Sequence, residues 1–306
     1  MSPWFQQVER RLSIAPWLVP ANPNNELLRH GAAKLGISSG TILRNVKGCW
    51  NLGSCGLGCP TNAKQGMLTT TIPAALDRGA TLLVQTRAER VEIQGDKVSG
   101  IVCRPVEINS AVKAGAGTSV RARHYVIAGG AINTPGLLLR SKAPDPHGLL
   151  GRRTFLHPVV VSTAVFDQPI EAWSGAPQTI YTDHFLGVAA IDGAIGYKLE
   201  APPLYPVISS IALTGFGAEQ VAAMAEFART QGLLALLRDG FHADSPGGAV
   251  TLGGDGTPVL DYQLTDFVME GARRALLSMA EIQFAGGARS VTPGHELARP
   301  YTSCSR

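Results

Sequence analysis

Residues 120–141 read VRARHYVIAGGAINTPGLLLRS. The first half is rich in β-branched and aromatic residues and closes on Val126, Ile127 and Ala128. That composition predicts a strand over 120–128. Gly129 and Gly130 then turn the chain, and Thr134-Pro135 opens a Leu-rich helix over 136–140. A strand, a Gly-rich turn and a helix bring bare backbone amides and a helix N-terminus toward a phosphate or nucleotide. This step therefore predicts a mixed α/β fold with a ligand near residues 128–134.

Working outward, Asn24-Asn25 before the apolar run at 26–35 predicts a capped helix, closed by Gly36. Residues 45–66 are rich in Gly, Cys and Asn and read as an irregular loop. Thr71 and Pro73 open a helix that Gly79 closes. Residues 81–86 read as extended. Alternation over 88–94 and 98–104, across Gly95-Asp96, predicts a β-hairpin. Residues 109–117 read as a surface loop. Past Gly151 the texture changes: a β-branched strand over 158–166, short strands and turns to 206, and a long helix over 218–237. A hairpin follows around residues 253–257, and then a second long helix over 266–285. Strands with long helices suggest an antiparallel sheet with helices on one face, so the class is α+β. The boundary is placed near 150, giving halves 1–150 and 151–306.

Composition excludes several function classes. Of 306 residues, 45% are apolar and 16% charged, which marks a globular chain. The net charge of +4 carries no dense Lys/Arg run, so no nucleic-acid groove is expected. No apolar stretch is long enough to span a membrane. Residues 1–11 lack the apolar core of a signal peptide, and five cysteines do not make a disulfide framework. The expected compartment is the cytoplasm.

Four motifs bear on chemistry. Cys49, Cys55 and Cys59-Pro60 resemble the tail of a ferredoxin cluster run, but such clusters take four ligands and only three thiols lie here. No His is near enough to complete a zinc site, so the expectation is no metal. Gly36-Ile37-Ser38-Ser39-Gly40 matches the hydrolase nucleophile pattern, yet a helix precedes it where a strand is required. No G-x-G-x-x-G stands in the strand-turn-helix context of a dinucleotide loop. Of the seven His, no two share metal-ligand spacing, and His157 reads as a structural residue.

Residues 130–141 resemble the second signature of the glucose–methanol–choline oxidoreductases. Lys142 stands where that pattern has Gly. Residues 55–64, CGLGCPTNAK, are similar to a block of the family's bacterial members. Gly151-Arg152 through Leu156-His157-Pro158 is similar to its step into the substrate domain, and Gly286-Gly287-Ala288 to the close of its last long helix. The resemblance implies an FAD-dependent oxidoreductase acting on CH–OH groups of donors, with FAD as hydride acceptor. It implies an incomplete FAD-binding domain at 1–150 and a substrate domain at 151–306 with its C-terminus truncated. It aligns Ala88 with the position that meets the adenine edge. Ala128, Gly129, Gly130 and Thr134 fall at the turn beside the adenosine half. The family's catalytic His has no counterpart here, so no catalytic residue is assigned and the chain is expected to be inactive alone. The implied partners are a small alcohol and a complementing chain or electron-acceptor subunit. The other reading is a non-catalytic remnant that binds a ligand or a subunit.

Overall fold

The structure is a computed structural model and describes residues 1–108, 115–187, 193–213, 215–243, 245–295 and 298–303. Most of the loop read at 109–117 lies outside the described residues. In chain order the elements are α1 (Ser2–Arg11), β1 (Ile14–Pro16), α2 (Pro23–Lys34), β2 (Gly40–Thr41), β3 (Leu43–Asn45), α3 (Thr71–Leu76), β4 (Thr86–Gln94), β5 (Lys97–Pro105) and β6 (Thr118–Val120). There follow α4 (Gly130–Arg140), β7 (Val159–Val165), β8 (Ile180–Thr182), β9 (Tyr197–Glu200), α5 (Pro206–Ala212), α6 (Ala218–Ala225), β10 (Thr230–Leu237), β11 (Ala249–Leu252), β12 (Pro258–Asp261), α7 (Asp266–Gly286) and β13 (Ser290–Pro293). The mixed α/β class with antiparallel sheets agrees with the sequence.

Contacts sort the chain into two compact units. The first joins Met1–Gly79, His157–His242 and Asp266–Arg306; the second joins Ala80–Leu156 and Ala243–Thr265. These groupings interleave the halves 1–150 and 151–306, because α2 packs on the sheet and on α7.

In the first unit a six-stranded sheet runs β13-β7-β10-β9-β8-β2, each neighbouring pair antiparallel. Leu233, Ala235 and Leu237 of β10 share one buried cluster with Leu28 of α2 and Ala275, Met279 and Ile282 of α7. Alternation along β10 sends these residues to the helix-covered face. Gly31 of α2 lies where a Cβ would run into the Ile282 carbonyl, so the helices cross backbone to backbone. Three asparagines fix the start of α2. Asn22 is the N-cap and accepts the Asn25 N–H at 3.0 Å. Asn25 Oδ1 accepts the Thr179 and Ile180 N–H groups at 2.9 and 3.0 Å. Asn24 Oδ1 accepts the Gly232 N–H at 3.1 Å. The expected cap at Asn24-Asn25 is thus corrected: both are buried inside the first turn, where they satisfy strand amides that would otherwise be orphaned.

The long helix expected at 218–237 is also corrected. Only Ala218–Ala225 is helical, and Thr230–Leu237 is β10. A central strand is covered on both faces and reads as a continuous apolar run, which periodicity does not separate from a helix. Here Gly232 packs against Leu204, and both edges of β10 are paired.

In the second unit β4, β5 and β6 form an antiparallel sheet, with Gln94 opposite Lys97 across the expected Gly95-Asp96 turn. Gly95 has φ 63, a turn geometry open to Gly. β11 and β12 form the second expected hairpin. Two expected strands are not formed. Residues 81–85 and 121–128 have no ladder among the described residues, and Val126 is 87% exposed. Strand propensity alone does not hold a strand whose backbone groups have no neighbour to pair with.

Candidate functional site

Helix α4 starts at Gly130, six residues before the expected start at 136. Gly129 occupies the N-cap, and its N–H donates to Thr134 Oγ1 at 2.9 Å. Gly130 has φ 77, in the left-handed region, so a Gly is required there. A Cβ on Gly129 would crowd Asn133 and Thr134 at 3.1–3.3 Å. Pro135 sits inside the helix and lacks the N–H that would reach the Ala131 carbonyl. Ala128, Gly129 and Gly130 are exposed and Thr134 is half-buried, so the turn faces solvent, with the Gly129 N–H already engaged by Thr134.

The far end of α4 is clasped to β4. Ser141 Oγ accepts the Val91 N–H at 2.8 Å and donates to the Leu137 carbonyl at 2.6 Å. The Arg140 guanidinium donates to the Ala88, Glu89 and Gly256 carbonyls at 3.4, 3.2 and 3.2 Å. Burial of this guanidinium, with Arg87 nearby, lowers its proton affinity from the ordinary value. A register shift between Ala88 and Arg90 interrupts the β4–β5 ladder, and Glu89 pairs with Arg104 at 2.8 Å. The unit thus holds β4, with half-buried Ala88, against α4, with Gly130 and Thr134. Sequence reading did not single out Arg140. Its only signal is its place at the end of the LLLR run.

The other motifs resolve as follows. Gly36 has φ 69 and follows α2, so Ser38 has no strand-turn-helix setting. His157 is exposed ahead of β7. Cys49, Cys55, Cys59 and Cys103 are free thiols, and Cys304 lies outside the described residues. Hydrogen bonds from the Thr61 hydroxyl and the Ala63 N–H lower the Cys59 thiol to about 7. Among the described residues no three His, Cys, Asp or Glu side chains are grouped to hold a metal ion. No described helix is long and apolar enough to cross a membrane.

The family model described as GMC oxidoreductase matches residues 1–159. The chain belongs to the GMC oxidoreductase family. It is 30% identical over 302 residues to an uncharacterised GMC-type oxidoreductase, Rv0492c, of Mycobacterium tuberculosis, covering 98% of this chain and 44% of that protein. It is 26% identical over 295 residues to the long-chain-alcohol oxidase FAO1 of Arabidopsis thaliana, covering 92% of this chain and 37% of that protein. The chain therefore spans less than half the length of these two GMC relatives. Among solved structures, pyridoxine 4-oxidase from Mesorbium loti superposes with a TM-score of 0.59 at 16% identity, over 88% of this chain and 53% of that one. That likeness shows a shared fold.

Proposed function

We propose that the chain is the part of an FAD-dependent alcohol oxidoreductase that holds the adenosine half of FAD and a share of the alcohol site. In this reading residues 1–150 serve the cofactor and 151–306 the substrate. The observation that carries it is the exposed Gly129-Gly130 turn at the head of α4, left-handed at Gly130 and locked by Thr134. Neither glycine presents a Cβ to a ligand, and Ala88 is small, so these residues fit close approach by a flat adenosine. When bound, FAD supplies the hydride acceptor for oxidation of CH–OH to a carbonyl. The chain's own work is to bind and orient: Thr134 fixes the turn, and Arg140 ties Ala88 to α4. The alcohol class is supported by the family and by the Arabidopsis relatives. No His in the chain is assigned as base, and turnover is expected only with a complementing chain or acceptor subunit.

The second reading is a non-catalytic module that binds a ligand or a subunit. It is favoured by residues 121–128, ahead of Gly129, which form no ladder among the described residues. Titrating the purified chain with FAD separates the two. Saturable quenching of flavin fluorescence supports the first reading, with affinity lowered about tenfold in Thr134→Val, the loss of about 1.4 kcal/mol for one orphaned hydrogen bond. A folded chain that never binds FAD supports the second.

A further inference from the structure

Helix α1 takes no part in the flavin reading, on which this inference does not depend. Trp4, Phe5, Val8 and Leu12 recur at helical spacing and fall on one side of it. Trp4, Phe5 and Val8 are 66%, 59% and 51% exposed, and no residue of α1 is buried. A helix of 10 residues is marginal in water by itself and draws its stability from burying a face. Large apolar side chains gathered on one exposed face mark a surface that a partner covers. Gln6, Gln7, Arg10 and Arg11 take the other side, and Glu9 is the helix's one acid. Among the described residues none pairs with the Arg10 or Arg11 side chain.

Charge selects the occupant of this face. Residues 1–70 hold seven Lys or Arg against two acids, Glu9 and Glu26, while the whole chain has a net charge of +4. All of the net positive charge therefore resides in this segment. The fold gathers part of it close to α1. The next element, β1, pairs with β3; Lys47 follows β3 and is exposed, and exposed Lys64 is bridged to Val46. Leu18 and Val19, just past β1, are exposed as well. A second copy of the chain would set this basic surface against itself. An anionic bilayer accepts both of its parts: the headgroups attract Arg and Lys, and the apolar side enters the acyl boundary, where Trp is enriched. A second exposed apolar surface, on α5 and α6, lacks the cationic half. Val207, Ile208, Ile211 and Phe216 are exposed there, but residues 201–218 hold no charged side chain.

We propose that α1 is a membrane-surface anchor that lies in the headgroup region of an anionic bilayer. Trp4, Phe5 and Val8 turn into the lipid, and Arg10 and Arg11 meet the lipid phosphates. The test is co-sedimentation of the full chain with vesicles of phosphatidylcholine holding about 30% phosphatidylserine, against vesicles of phosphatidylcholine alone. The chain is expected to sediment with the anionic vesicles, at least about tenfold more tightly than with the neutral ones, and to be released by salt. Trp4→Glu and Phe5→Glu each weaken binding about tenfold, and Arg10→Gln and Arg11→Gln about fivefold each. Ile211→Glu, on the other apolar surface, retains it. Tryptophan emission moves to the blue on binding, and that movement shrinks in Trp4→Phe, which still binds. A folded monomer that stays off the anionic vesicles assigns the face to another protein and overturns the proposal. So does equal binding to both vesicle types, full retention in Phe5→Glu, or an equal loss in Ile211→Glu. Light scattering that shows a dimer, dissociated by Phe5→Glu, overturns it in favour of a second copy. The comparison of the two lipid compositions with the wild-type chain decides the matter even where a variant fails to fold.

Discussion

Asp255 sits in the turn between β11 and β12 and accepts the Thr257 N–H at 2.9 Å and its hydroxyl at 2.8 Å. These bonds favour the carboxylate and hold its proton affinity below the ordinary value of 3.8. A depressed folded value means that the stabilisation is complete above the unfolded value and fades as pH falls through the folded one. A carbon-13 titration of the Asp255 carboxyl is therefore expected to show a midpoint below 3.8, moved upward in Thr257→Val. A midpoint at the ordinary value in the wild type rejects the account. At this scale the sequence was read well where one residue type has one use. The GGDGT run reads as a turn, and Gly129-Gly130 as the approach to α4. It was read poorly where a partner is remote. Nothing in the sequence pairs Arg140 with the Ala88 and Gly256 carbonyls, or Asn24 with Gly232, more than a hundred residues away in all but the first case.

Elements were legible when their own pattern and their surroundings agreed. The two hairpins carry Gly turns between alternating strands, and α7 keeps its helical period over 21 residues, so both followed from sequence. β10 did not, because LLALL at 233–237 satisfies a buried helix and a buried strand equally. What decides is hydrogen bonding on both edges, to β7 and β9. The strand reading carries a specific energetic consequence. Leu233 is fully buried and faces α2 and α7 from the middle of the sheet. Leu233→Ala removes its packing and leaves a cavity that a twice-paired strand is poorly able to collapse into. The expected cost is about 2–5 kcal/mol, whereas half-buried Leu234→Ala, on the other face, costs less. Urea unfolding of both variants checks this. Equal midpoints for the two would contradict the assigned facing of β10.

At the scale of the whole molecule, each compact unit has its own distribution of stability. In the first, β10 is paired on both edges under α2 and α7, and Leu233, Ala235 and Leu237 are fully buried. Its amides open only when that core is lost. In the second, Leu82, Leu83 and Val84 are exposed at 52%, 59% and 68%, and residues 121–128 lack a ladder among the described residues. Segments with few buried contacts and unpaired amides open at close to zero cost, while core strands approach the global free energy. Hydrogen exchange is thus expected to be fastest at 82–84 and 121–128 and slowest along β10. FAD binding at the Gly129-Gly130 turn would add protection at residues 129–134, while β10 gains only what the chain gains in global stability. Added protection at β10 with none at 129–134 would locate the ligand on the sheet. Slow exchange at 121–128 in the chain alone would mean that this run finds a pairing partner after all, and would remove the observation that favours the binding-module reading.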